Sequence, residues 1–479
     1  MTRKNIFKYL GLVCIPVAYM ACKVPTVATK TENKAVPVNF NDSLPADTQT
    51  IAKVKWNEYF TDPYLRTLID TALKNNQELN MTLQEIEMAQ NDIQARKGEY
   101  LPFVNLGAGA DVDKVGRYTN IGALEDNIDI RDGHKMPDPM TNLGLGAQAT
   151  WEVDIWKKLH NAKDAAIQKY LATVEGKNFL VTNLIAEIAN SYYELLAYDN
   201  QLDILQQNIK IQSNALEIMK YEKAATRVTE LAVRRFQAEV SKTQSLQYDI
   251  QQHITETENR INFLCGRYPR KIERDDKTFA DSLPSQIHVG IPSQLLDNRP
   301  DIRQAEYNLA AAKLNVKVAK ARFYPSLDIS AAVGYDAFSP QFLFNTPKSL
   351  VYSLAGDLIG PLVNKNAIKA EYKNANAEQI EAVYNYEKTV LNAFTEVLNQ
   401  LAKIKNLEGT YSFQSKQVDA LSQSIQISND LFKSTKADYM EVLLTQRDAL
   451  ESKFDLIETQ VAQKKAIVNI YQALGGGWN

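Results

Sequence analysis

The 479-residue chain sets 54 Lys and Arg against 57 Asp and Glu, a net charge of −3 that excludes nucleic acid as its main partner. Its three cysteines, Cys14, Cys22 and Cys265, are too few and too scattered for a disulfide framework or a thiolate metal site. His134, His160, His253 and His288 are dispersed without metal spacing, and no nucleophile motif accompanies them, so neither an enzyme nor a cofactor is expected.

At the N-terminus, Arg3 and Lys4 precede an apolar run, Ile6 to Ala21, too short and too terminal for a spanning helix. Residues 1–21 read as an export signal. The run stops at Ala21-Cys22, a small residue before a cysteine, which predicts lipoprotein processing and acylation of Cys22. Residues 22–55 then form a lipid-anchored extension.

Beyond it the chain repeats itself. Sliding by 223 pairs Asn75 to Asn80 with Asn298 to Arg303, and Pro102 with Pro325. At a shift of 211, Tyr221 to Leu231 pairs with Phe432 to Val442, and Phe263-Leu264-Cys265-Gly266 with Leu474-Gly475-Gly476-Gly477. Two units, 56–290 and 291–479, are far longer than a solenoid repeat and read as two copies of one elaborate unit.

Each copy is mostly helical. Prolines avoid Met140 to Tyr268 and everything after Leu362. Within those stretches Val181, Ile188, Leu195, Leu202, Ile209 and Leu216 recur every seven residues, as do Val390, Val397, Ile404, Tyr411, Val418, Ile425 and Phe432, the pattern of supercoiled helices packed along one seam. The spacing predicts long helices at 158–224 and 366–434, ~100 Å each at 1.5 Å per residue. Shorter ones are predicted at 64–98, 229–265, 293–322 and 438–474, paired alongside the long ones as a rod.

Between helices the period changes to two. Val104, Leu106, Ala108, Ala110 and Val112 alternate with Asn105, Gly107, Gly109, Asp111 and Asp113. Strands are expected at about 101–113, 141–156, 324–336 and 349–362, the length that crosses a bilayer when tilted. Four strands cannot close a barrel, and an open edge in hydrocarbon strands N–H and C=O groups at several kcal/mol each. The chain therefore has to oligomerise, and two copies or three both satisfy the residues.

Trp56-Asn57-Glu58-Tyr59-Phe60 with Asp62-Pro63 and Leu65, Arg299-Pro300-Asp301-Ile302 with Ala305-Glu306, Phe323-Tyr324-Pro325 and the closing Ala473-Leu474-Gly475-Gly476-Gly477-Trp478 stand in order along the chain. In these the sequence resembles the TolC-like outer-membrane efflux proteins, in particular the lipoprotein branch that serves resistance-nodulation-division pumps. The resemblance covers nearly the whole mature chain. It implies a mainly α protein with membrane β: long coiled helical hairpins (an α-barrel) and four transmembrane strands per protomer, closed as a homotrimeric twelve-stranded β-barrel. It also implies an exit duct for a periplasmic adaptor (membrane fusion protein) and an inner-membrane RND or other transporter, with outer-membrane lipid around the barrel. A type I secretion channel and a non-conducting coiled-coil surface protein are the alternatives.

On that resemblance the loops Lys114 to Met140 and Ala337 to Pro347 lie outside the cell, and the turns near Ala224 to Thr229 and Ser434 to Met440 are periplasmic tips. Carried over residue by residue, the gate acids are Glu230 and Glu441 with Asp438 close by, which threefold symmetry turns into carboxylate rings. The same acids also suit an early helical turn simply through the macrodipole. Phe432 and Ala437 stand where relatives often have a tyrosine and an arginine, with Arg227, Lys436 and Tyr221 as stand-ins. The usual tip glycines are replaced by Ala224 and Thr435, a left-handed position that strains other residues by about 1 kcal/mol.

Overall fold

The computed structural model describes residues 24–40, 49–131, 133–275, 279 and 288–478. The expected export signal, 1–21, and Cys22 lie outside the described residues. The chain divides into two compact units, one of residues 1–31, 88–170 and 307–383, the other of 32–87, 171–306 and 384–479.

The first unit is built on a four-stranded antiparallel sheet of β1 (Phe103–Asp113), β4 (Met140–Val153), β5 (Ser326–Ala337) and β6 (Leu350–Ile359), in the order β1-β4-β5-β6. Between β1 and β4 the excursion holds a helix, α3 (Asn120–Asn127), and a small ribbon, β2 (Asp129–Arg131) with β3 (His134–Lys135). The β4 strand stops at Val153, short of the predicted 156. Asp154 instead turns its carboxylate onto the Leu159 and His160 N–H groups (3.1 and 2.9 Å), capping the next helix. Likewise β6 ends at Ile359, before Gly360-Pro361, where proline removes a ladder donor. Outside the sheet, the extended residues Val24 and Val27 pack on Phe323 and Tyr372.

Besides α3 and the short turns Ile51–Lys53 and Trp56–Tyr59, the helices are α1 (Pro63–Asn75), α2 (Gln77–Glu99), α4 (Lys158–Ala224), α5 (Glu230–Leu264), α6 (Gln294–Asn298), α7 (Pro300–Ala321), α8 (Asn366–Lys433) and α9 (Tyr439–Ala473). Two helices expected to be single are broken, at Asn76 (φ −61, ψ 128) and at Arg299 (φ −86, ψ 116). These two residues pair at the shift of 223, so the break is duplicated with the repeat. Asn76 accepts from the Leu79 N–H (2.9 Å) and donates through Nδ2 to the Leu264 carbonyl (2.9 Å), which outweighs one turn of continuous helix. Arg299, followed by proline, donates to the carbonyl of Ala473 (2.8 Å), which like Leu264 is the last residue of its helix.

The second unit carries the main core. Leu65, Ile69, Ile185, Ile188, Tyr192, Leu195 and Ile261 are buried there together. On α4 the seven-residue seam is covered: Ile188 and Leu195 are fully buried, and Leu202 and Ile209 pack on a second cluster around Leu205 and Ile250. On α8 the same seam is covered at Val397 but only half-buried from Ile404 to Phe432, and Leu391, Phe413 and Ile427 are exposed. The described part of the N-terminal extension in this unit packs Phe40 on Phe394 (5.7 Å between rings) and pairs Lys34 with Glu306 (2.5 Å).

No described helix is long and apolar enough to cross a membrane.

Candidate functional site

Because residues directly opposite in an antiparallel ladder share a face, the register sorts every strand residue to one of two sides. On one side lie Leu106, Ala147, Val333 and Tyr352, aligned across all four strands, with Val104, Leu145, Ile329, Leu354 and Leu358 in neighbouring rows. Here Leu106 is 85% exposed and Leu354 78%, an apolar sheet surface that none of the described residues covers. Toward its helix-proximal end Trp151 donates Nε1 to the Tyr100 carbonyl (3.0 Å), while Trp156 stacks on Tyr324 and donates to the Pro325 carbonyl (2.7 Å). Tyr335 and Tyr352 stand toward the other end, so aromatic residues flank the apolar band as they do in membrane barrels.

The opposite side is polar and open. A glycine row, Gly107-Gly146-Gly334, crosses three strands at its middle. At two of the three a side chain would collide, since a Cβ on Gly146 would sit 2.8 Å from the Val333 carbonyl oxygen and one on Gly334 2.6 Å from that of Leu145, whereas Gly107 faces open space. Asp111, Asp113 and Asp336 lie toward one end of this face, and Glu152, Asp328 and Asp357 toward the other. Among the described residues of the four strands there is no lysine or arginine; Lys158, just past β4, pairs with Glu152 at 2.5 Å. The one-signed face was legible, since no base interrupts four alternating segments, but sequence reading singled out the tips instead and left Asp328, Asp336 and Asp357 unmarked.

Among the described residues both outer strands are unpaired on their far sides, and every residue of β1 and β6 is exposed. These edges are ready-made templates for another strand.

At the tips, both long helices end in the same backbone device. The Arg227 N–H reaches the Glu222 carbonyl (2.9 Å) and the Thr226 N–H the Lys223 carbonyl (2.8 Å); Lys436 and Thr435 repeat this on Leu431 and Phe432. The left-handed residues are Thr226 (φ 62) and Thr435 (φ 58). Thr435 is where it was expected, but in the first tip the position is Thr226 rather than Ala224. The structural shift between the tips is therefore 209, not 211. The same 209 relates Gly266 (φ 65) to Gly475 (φ 88), which close α5 and α9 with the same hydrogen-bond pair. The run of three glycines had concealed that register.

With the register corrected, Glu230 and Glu441 are not equivalent. Glu230 is the first residue of α5, after the cap Thr229, whereas Glu441 is the third of α9, after the cap Asp438. Glu230 pairs with Lys223 and with Arg234 (2.7 Å), and the Lys223 hydrogen bond above all holds its carboxyl below the usual carboxylate range. Asp438 and Glu441 are exposed, and their carboxylates meet no cation or donor among the described residues. Arg227 lies 3.5 Å from Glu222, and Tyr221 is 75% exposed. Phe432 packs with Val228, Tyr439 and Leu443 on the tip core of Leu216, Met219, Val233 and Phe236. The structure thus places Asp438 and Glu441 three residues apart at the start of α9 and sets Phe432 in the apolar core beneath the turns.

No cluster of His, Cys, Asp or Glu with the makings of a metal site occurs among the described residues. His160 is held by Asp154 (2.6 Å) and stacked on Tyr100, and His253 stacks on Tyr198.

Comparison with known proteins agrees with this architecture. The chain is 26% identical over 471 residues to the pyoverdine export outer membrane protein OpmQ of Pseudomonas putida, covering 98% of each chain. It is 27% identical to the cation efflux system protein CusC of Escherichia coli (97% of this chain, 98% of that one), and 25% identical to the probable outer membrane lipoprotein SilC of Salmonella typhimurium (98% and 99%). Its fold superposes on the outer-membrane channel OprN with a TM-score of 0.83 at 23% identity (95% and 99% covered). On the open state of the MtrE channel of Neisseria gonorrhoeae the TM-score is 0.80 at 22% identity (95% and 98%). The model of the family described as outer membrane efflux protein matches residues 68–267 and 291–476, one stretch in each repeat. With that match over most of its length, and a sheet and duplicated helices of the same architecture, the chain belongs to the outer membrane efflux protein family.

Proposed function

We propose that this protein is the outer-membrane exit duct of a tripartite efflux system. The observation that carries this is the open sheet, apolar on one face, acidic on the other and free at both edges. Three copies placed edge to edge, β6 of one against β1 of the next, make twelve strands with the apolar faces toward lipid and the acidic faces toward a water-filled lumen. The half-covered seam and exposed apolar residues of α8 supply contacts for the same assembly. The leader 1–21 is removed, Cys22 is acylated, 22–55 is the anchored extension, and 56–290 and 291–479 are the two efflux repeats. The tips meet a periplasmic adaptor, which couples the duct to an inner-membrane transporter of the RND or another class.

The duct performs no chemistry. Cargo diffuses through it, the transporter supplies the energy, and the tip helices separate to admit it. Relatives named for pyoverdine export and for cation efflux share the scaffold, so the transporter rather than the duct chooses the cargo.

The test is electrical. Purified protein, trimeric by light scattering, is expected to open discrete single channels in planar bilayers, and a pure trimer that never conducts overturns the reading. Palmitate labelling that persists in Cys22→Ala would remove the lipid anchor from it.

A further inference from the structure

The excursion between β1 and β4 is not a bare loop. Thr119 caps α3 through the Gly122 N–H (3.1 Å), Gly122 sits so close to the Gly116 carbonyl that a Cβ would fall 2.2 Å from its oxygen, and Arg117 pairs with Asp138 at 2.9 Å. Lys135 donates to the Asp126 carbonyl (2.9 Å), joining the β-ribbon to the helix. This bracing holds out an apolar face: Ile121, Leu124 and Ile128 are each more than half exposed and follow one another at helical spacing, with Tyr118 beside them wholly exposed. The charges on α3 are Glu125 and Asp126, both negative.

The 338–349 connection between β5 and β6 is braced too. Ser349, buried, donates Oγ to the Phe342 carbonyl (2.6 Å), and Phe344 leans edge-on against Tyr335 (5.7 Å) while remaining 66% exposed. Its single charge is Lys348, exposed and in no ion pair among the described residues.

We infer that α3 of one protomer docks on the 338–349 connection of a second copy of this chain, closing a clasp at the outer rim. This rests on the proposed barrel, and the strand order dictates it: the free edge of β1 can be met only by the neighbour's β6. The connection entering that β6 therefore rises beside the excursion leaving β1. An apolar face with two acids then meets an exposed phenylalanine with one lysine, a complementary pair that repeats head to tail around a closed ring.

The full chain carrying both Ile121→Cys and Phe344→Cys, treated with a short bismaleimide in native outer-membrane vesicles, is expected to give covalent dimers and trimers that neither single variant gives. The buried Cys265 supplies no background. Covalent dimers missing from a protein that is trimeric by light scattering overturn the clasp and leave the barrel standing, whereas a monomer by light scattering overturns both. Ile121 and Phe344 are both exposed in the protomer, so folding is not at stake. As a second measurement, Lys348→Glu lowers the trimer's dissociation temperature and adding Asp126→Lys restores it; strictly additive losses overturn the contact. Labelling at position 121 that falls with added lipid but not with trimer formation makes lipid the occupant and likewise overturns it.

Discussion

Asn76 and Arg299 answer the same backbone problem with different chemistry. Each interrupts a helix and ties the interruption to the last carbonyls of a helix from its own repeat, one with an amide and the other with a guanidinium. Beside each sits a left-handed glycine, Gly266 against the Asn75 carbonyl and Gly475 against that of Asn298, where any Cβ would collide at 2.2 and 2.5 Å. Arg299 is the more exacting of the two. It is 4% exposed and grips Asp301 with two nitrogens (3.0 and 2.7 Å) and Glu396 with one (2.7 Å). Burial works against its charge, but the hydrogen bonds and charges of Asp301 and Glu396 more than offset this and hold its pKa above the ordinary arginine value. Arg299→Ala leaves the Asp301 carboxylate and the Ala473 carbonyl without their donor, at a cost of about 3 kcal/mol or more. Thermal unfolding followed by far-UV circular dichroism should fall well below wild type, whereas loss of the half-exposed Glu396 alone should cost far less.

Among the elements, the tip turns connect sequence to the proposed gate. Threonine stands in the left-handed position of both, each with its Oγ1 bonded to the preceding carbonyl (2.7 Å), while glycine holds the matching position at the opposite ends of the shorter helices. That strain costs about 1 kcal/mol per turn relative to glycine. The charges are also unequal, because Glu230 is already neutralised by Lys223 and Arg234 while Asp438 and Glu441 are free to bind cations. The double variant Asp438→Asn, Glu441→Gln is therefore expected to weaken block by multivalent cations on the order of tenfold, the equivalent of about 1.4 kcal/mol. Glu230→Gln should change it little; single-channel titration with a trivalent cation checks both, and equal sensitivity in all three proteins removes these acids from the gate. The strands and long helices were legible because periods of two and seven persist over many residues. The breaks at Asn76 and Arg299 were not, since an asparagine or an Arg-Pro pair disturbs the helical pattern too little to announce the partner carbonyl nearly 200 residues away. The tip register slipped by two because an aromatic and a glutamate recur at the wrong offset by coincidence. The path of residues 24–40 was illegible, as an extended segment has no period of its own.

For the assembled molecule, sign matters more than any single acid. Six carboxylates per chain line the polar face of the sheet, and Lys158, just past β4, is paired to Glu152. A lumen built from that face attracts cations and repels anions. In a salt gradient across a planar bilayer the reversal potential should lie on the cation-selective side and move toward zero in Asp336→Asn, Asp357→Asn; an anion-selective wild-type channel would contradict the inward orientation of the polar face. The two bare edges also bear on inheritance. Because in the proposed ring each copy lends one flank to either neighbour, a chain that folds but carries a spoiled β1 margin is expected to capture sound partners and leave the ring unsealed. Alleles of that kind act dominantly, and diluting them with good copies rescues transport far less than in proportion.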